Sequence, residues 1–425
     1  MIRRITVLAA ASVMTLGLTA TAGAQPRVAG PTQADQVIQW NQELIAAIQV
    51  AGAQPATVQP TRTFAITQLA VDDAVSAIVG GHAPLLLRLL APRSASPDAA
   101  AAAAAHTALV ALLPSQQPAL DAKFQDSLAQ LGSGPHVRDG IRVGERAAWA
   151  VLAARANDGS DATPPPYVPQ PGPGEYQLTP PNFPTPVFTH WAKVEPFVLD
   201  SGDQFRVPPP PAVTSAHYAD DFNEVKSLGE LNSTTRSSEQ ADIGRFWSAA
   251  PVWIVWNQIA QTAAATFHSS LAVNARMFAM LDVTLADGVI ALYDAKYAYH
   301  RWRPITAVRA ADDDGDPATV GDPNWTALSN TAPDPSYPGA HAEISQSAAS
   351  ALRDYFGTDR LDFSLTNASL PGVVRSFQSF SQAADEAAAS RIYSGQHFRY
   401  DEDAGQALGD QVADFVDRFW PPSVI

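Results

Sequence analysis

The patterning of the chain predicts an all-α protein whose helix-rich halves flank a long proline-rich segment. Between about residues 31 and 158 apolar residues recur at helical intervals, as in Leu44, Ile48, Phe64, Leu69, Val71, Val75 and Ile78. The alternating runs that mark strands are almost absent. Proline is concentrated in one place: ten of the 23 residues from Pro164 to Pro186 are proline, a density that removes the backbone donors a helix or sheet needs.

The opening residues predict export. Arg3 and Arg4 form a basic start, Ile5 to Leu18 is apolar, and Ala22-Gly23-Ala24 has small residues where a signal peptidase cuts, giving a signal peptide over 1–24 and a secreted or periplasmic chain. The alternative is an uncleaved anchor, but the apolar run falls short of the roughly 20 residues a span needs. No later segment is long and apolar enough to span, so no stable membrane insertion is expected after cleavage.

An N-terminal helical region follows over 25–160. The alanine run Ala99 to Ala105 has high helix propensity, and Gly159 is placed to cap the last helix at its C-terminus. Residues 161–212 form the Pro-rich extended segment, renewed briefly at Pro208 to Pro211. It is either a linker between domains or a loop packed over the helices, and Tyr167, Tyr176, Phe183, Phe188 and Trp191 favour packing. The C-terminal helical region covers 213–425. In it Ser237 with Gln240, and Thr284 with Asp287, have the spacing of capping boxes and predict two helix starts.

Composition excludes several functions. The 425 residues hold no cysteine, so thiol catalysis, thiolate metal sites and iron–sulfur clusters are out. With 27 Lys+Arg against 42 Asp+Glu the formal charge is −15, the wrong sign for a nucleic-acid binder. No HExxH, GxSxG or P-loop motif occurs.

Three segments carry chemistry. The helix predicted to open at Thr284 brings Lys296 and, two turns later, Arg303, where Pro304 ends the helix and releases the guanidinium to converge with Lys296 on one anion. In Pro335-Ser336-Tyr337-Pro338-Gly339-Ala340-His341 the histidine falls in the first turn of a helix. Gly339 and Ala340 let an oxyanion approach the free amides there. In Ser390-Arg391-Ile392-Tyr393-Ser394-Gly395-Gln396-His397 a second Arg and His precede Asp401, which either caps the following helix or fixes and charges His397. Taken singly, a solvated helix end, a core histidine and a cap would account for each segment. Together they describe a pocket for a tetrahedral oxyanion, with cations to neutralise it, one His to attack or ligate the central atom and another to move a proton.

In this order, Lys296-x6-Arg303-Pro304, Pro338-Gly339-Ala340-His341 and Ser390-Arg391-x3-Gly395-x-His397-x3-Asp401 resemble the three-part signature of the vanadium-dependent haloperoxidase and type 2 phosphatidic acid phosphatase superfamily. The wording around Trp302 to Thr306 and Asp316 to Thr319 is similar to its exported bacterial haloperoxidase-like branch. The resemblance spans about 280 to 420 and implies a helical-bundle fold holding vanadate, or phosphate in a phosphatase. It implies that Lys296, Arg303 and Arg391 bind equatorial oxygens and that Gly339 and Ala340 offer backbone amides. His397 would be the axial ligand to vanadium or the phosphatase nucleophile, His341 the acid–base group and Asp401 its signature partner. Hydrogen peroxide, halide and a small organic acceptor are the implied partners. The family's Pro-Ser-Gly-His is here Pro338-Gly339-Ala340-His341, which removes the serine hydroxyl and costs roughly 1.5–3 kcal/mol of oxyanion affinity.

The implied activity is vanadate-dependent halide oxidation, with a phosphomonoesterase working through phosphohistidine as the nearest alternative and a non-catalytic oxyanion-binding envelope protein as another. Two further features are read as structural. Asp312, Asp314, Gly315 and Asp316 open like a calcium loop, but its twelfth position is Pro323, so a solvated acidic turn is expected. His300 and Arg301 are expected at the surface of a helix end.

Overall fold

The computed structural model describes residues 35–55, 58–86, 88–249 and 251–420. The export signal read in residues 1–24 lies outside the described residues. The described fold is helical: α1 (Gln36–Gln49), α2 (Gln59–Val79), α3 (Pro97–Leu112), α4 (Gln117–Leu131), α5 (Pro135–Ala154), α6 (Ala216–Gly229), α7 (Ser238–Ser248), α8 (Val252–Thr266), α9 (Leu271–Tyr299), α10 (Pro304–Ala310), α11 (Ala340–Phe356), α12 (Phe380–Tyr393) and α13 (Arg399–Phe419). One antiparallel hairpin, β1 (Arg360–Thr366) with β2 (Val374–Ser379), pairs Phe363 with Phe377. Sequence reading missed it, although β1 alternates exposed and buried positions, because its six to seven residues are too short to stand out among helices.

Helix α9 is the axis. Its 29 residues are almost all buried, and it packs against α2 on one side and against α11 and α13 on the other. Thr284 therefore does not start a helix: α9 begins 13 residues earlier at Leu271, and the Thr284 hydroxyl donates to Met280 O at 2.7 Å. Asp287, its supposed capping partner, instead accepts the amides of Phe197, Val198 and Leu199 at 2.6–3.0 Å. The Ser237–Gln240 capping box is present at the start of α7.

Alanine in α3 serves packing more than propensity. Ala99 to Ala105 are buried on every face, and α5 meets them through Gly140 and Gly144. A Cβ on Gly144 would lie 2.3 Å from Ala100 O, so the backbones touch where no side chain fits. Helix α5 ends at Ala154 with Arg155 as its C-cap. Gly159, expected to cap it, lies beyond in the turn at φ +88°.

The proline-rich segment packs onto the helices. Tyr176 and Trp191 are buried, Tyr176 N donates to His300 O at 2.6 Å, and Tyr297 of α9 donates its hydroxyl to Val187 O. Among the described residues no single helix is long and apolar enough to cross a membrane. The acidic turn is partly internal: Asp314 is buried and accepts from Asp316 N and the Thr319 hydroxyl, and no cluster of three metal-holding side chains occurs among the described residues. Arg301, expected at the surface, is buried beside the Tyr218 and Tyr400 rings, with Nε donating to the Tyr400 hydroxyl at 3.0 Å. The aromatic faces offset the cost of taking its charge out of water.

Candidate active site

Four stretches meet near one end of α9. Lys296 lies in the last turn of that helix, which stops at His300 in the left-handed conformation. Arg303, extended before Pro304, turns back inward. The two cations converge as predicted, but on Asp334, a residue that sequence reading did not single out. Asp334 Oδ1 sits 3.1 Å from Lys296 Nζ and 2.5 Å from an Arg303 guanidinium nitrogen. Lys296 also donates to Pro335 O and Ser336 O, so all three of its protons are engaged. Burial alone would raise Asp334, yet the charges and hydrogen bonds of Lys296 and Arg303 hold it below its usual range. Burial pushes Lys296 down to about 8, with Asp334 opposing.

The two histidines have assignable protons. Arg303 lies 3.0 Å from His397 Nε2, and because a guanidinium only donates, Nε2 must accept. The proton is then on Nδ1, which faces Asp401 Oδ2 at 3.3 Å. Asp401 Oδ2 also accepts the Ser336 hydroxyl at 2.5 Å and Phe398 N at 2.9 Å, so Asp401 both ties down the start of α13 and orients His397. Burial lifts Asp401 to about 6, against the Ser336 hydrogen bond. His341 Nε2 meets Trp247 O at 3.1 Å. A carbonyl only accepts, so Nε2 carries the proton and Nδ1 keeps its lone pair. Burial and then nearby arginines, Arg391 for His341 and Arg303 for His397, push both rings well below their ordinary pKa, leaving them neutral.

Helix α11 opens at the site. Its first intrahelical bond runs from Glu343 N to Gly339 O, which leaves the amides of Ala340, His341 and Ala342 ahead of the ladder at the positive end of the helix. The Gly339 amide, expected to be free for an anion, donates instead to Asp401 O at 2.8 Å. Arg391 enters from α12, donates to the Ser248 hydroxyl at 2.8 Å, and holds a buried Nε with no protein acceptor. Burial pushes it down to about 10, with Glu402 opposing.

Arg303, Asp334, Ala340, His341, Arg391 and His397 line a cavity of about 410 Å³ together with the apolar Val252, Trp253, Val289, Leu292 and Ile344. Lys296 and Asp401 stand behind this wall. Three groups besides Asp334 were not singled out from the sequence: Ser336, Ser248 and Glu402. Asp334 alone left a signal, a charged residue set between prolines just before the His341 motif. The donor set fits a tetrahedral oxyanion: an orphan Arg391 N–H, helix-start amides, and a histidine lone pair among three cations.

The chain is similar to several known proteins. A family model described as the VCPO second helical-bundle domain matches residues 276–420. Vanadium chloroperoxidase of Curvularia inaequalis is 28% identical over 258 residues, 46% of this chain, and the match spans less than half, 42%, of that enzyme. A bacterial vanadium-dependent iodoperoxidase structure superposes with TM-score 0.76 at 28% identity, covering 91% of this chain and 97% of the other. A holo-type bacterial vanadium-dependent chloroperoxidase shares the fold at TM-score 0.70 and 18% identity, covering 91% and 97%.

Fold and site thus define a helical protein with a cavity lined by arginines and histidines at the start of α11. Within that class, the chain is similar to vanadium haloperoxidases, over residues 276–420 by the family model and over most of its length by fold.

Proposed function

We propose that this chain is a vanadate-dependent haloperoxidase that uses hydrogen peroxide to oxidise halide to a hypohalous acid equivalent, which then halogenates small organic acceptors. The observation that carries the reading is His397, whose Nε2 lone pair faces Arg303 while Asp401 and Ser336 hold its Nδ1 side. That arrangement leaves Nε2 as the ring atom that would hold vanadate. Arg303 and Arg391, with the charge of Lys296 behind them, would neutralise the bound anion, aided by the amides opening α11. Bound vanadate supplies a Lewis-acid centre that activates peroxide without changing its own oxidation state.

His341 lies on the same cavity wall with Nε2–H fixed by Trp247 O. Its Nδ1 lone pair would serve as the proton acceptor and donor for peroxide held in this cavity. The apolar lining from Val252 and Leu292 lowers the local polarity and strengthens the charges that share the cavity. We further infer export, from the basic and apolar start of the sequence; N-terminal sequencing of protein recovered outside the cytoplasm should begin after Ala24.

The test is bromide and iodide oxidation by purified protein loaded with orthovanadate, run beside aryl phosphate hydrolysis by the phosphate-loaded protein. Peroxide-driven halogenation that needs vanadate and falls to background in His397→Ala is the expected result. Phosphate release without halogenation would make the protein a phosphatase, and silence in both assays from folded, vanadate-binding protein would make it a binding protein.

A further inference from the structure

The missing serine of the family motif has left a mark on the opposite helix. At Gly339 an ideal Cβ would stand 2.2 Å from Glu402 Oε1 and 2.6 Å from its Cδ. The Glu402 carboxyl, reaching across from α13, therefore fills the volume that a residue-339 side chain would take. The helices cannot separate to admit both. Gly405 and Gly409 bring α13 so close to α11 that a Cβ on them would lie 2.4 Å from Gly339 O and 2.6 Å from Glu343 O.

Glu402 is also out of place for a structural residue. It is 2% exposed, and neither carboxyl oxygen has a hydrogen-bond partner. It stands beside the residues of the oxyanion site without lining the cavity itself: His397 Nδ1 is 3.7 Å away, and Arg391 is its largest electrostatic partner. A buried carboxyl with two unsatisfied oxygens is costly and calls for a hydrogen-bonding partner from outside the protein, a ligand or an ordered water.

We propose that Glu402 takes the part of the family's serine: Gly339 makes room for its carboxyl, which shares one proton in a hydrogen bond with an oxygen of the bound tetrahedral oxyanion. The proposal rests on the oxyanion-site reading above. Residues 339 and 402 are then one exchangeable unit, in which a hydroxyl on α11 and a carboxyl on α13 are alternative solutions.

The experiment measures the affinity of orthovanadate, and of inorganic phosphate in parallel, by calorimetry and by vanadium-51 NMR at one pH. The proteins are the full chain and its Glu402→Gln, Glu402→Ala, Gly339→Ser and Gly339→Ser/Glu402→Ala variants, each checked for folding by circular dichroism. Glu402→Gln, which keeps the shape and a hydrogen-bonding group, should bind within about threefold of the original chain. Glu402→Ala and Gly339→Ser should each lose about tenfold or more, the first a hydrogen bond to a charged group and the second by collision. The double variant should recover to within about threefold, a non-additivity expected only of residues in contact. An unchanged affinity in Glu402→Ala, or a double variant as weak as both single losses combined, overturns the proposal while leaving the site intact. Failure of the original chain to bind either ion overturns the site reading and this proposal together.

Discussion

Asp282 is one of the buried carboxyls through which the stability of this chain depends on pH. It lies fully inside α9, with one oxygen accepting from Asn257 Nδ2 at 2.8 Å and the other unpartnered. Asn257 in turn accepts from Asn41, so the group ties α1, α8 and α9 together. Burial pushes Asp282 up to about 8. An unfolded chain releases this proton near pH 4, whereas the folded chain keeps it to about pH 8, so the native state binds more protons across that window and loses stability as pH rises. Asp282→Asn keeps the acceptor for Asn257 and removes the linkage. It should match the original chain near pH 4 and exceed it by roughly 1–3 kcal/mol at pH 8 in urea unfolding. An equal gain at both pH values would refute this account.

At the scale of elements, close approach of helices recurs through small residues. The α3–α5 pair is the clearest case, with Gly144 against the backbone of Ala100 and Ala104. Gly→Ala inside an exposed helix stabilises by up to about 1 kcal/mol, so the sign here separates packing from propensity. Gly144→Ala should destabilise by about 1–3 kcal/mol through overpacking, read as a lower urea midpoint with unchanged slope. The α11–α13 contact at Gly405 and Gly409 follows the same rule and places the His341 turn against Asp401.

For the whole molecule, the site joins segments more than 90 residues apart, from Lys296 to Asp401, on a hydrophobic core shared by both helix-rich halves. A ligand that bridges them stabilises the fold as a unit. Orthovanadate at 100 times its Kd should add about 2.7 kcal/mol of unfolding free energy, seen as a single thermal transition moved upward. His397→Ala should unfold in the same single transition but lose most of that shift.

Local chemistry made much of this legible. Helical periodicity, Pro304 after Arg303 and the spacing of Lys296, His341, Arg391 and His397 are properties of short segments, so the all-α class and several residues that come to line one cavity could be read before any contact was known. The sequence by itself also exposed Gly339 as a departure, since an absent side chain is visible in one dimension. Tertiary structure alone decided what compensates for it. Asp334 between two cations, Glu402 in the space beside Gly339, Arg301 between aromatic rings and Asp287 under the proline-rich loop are meetings of residues 30 to 110 positions apart. A charge in isolation reads as solvated because exposure is its ordinary state. Only the folded chain shows which charges were drawn inside and paired, since burial and partner are set by packing across the molecule and not by the neighbours in sequence.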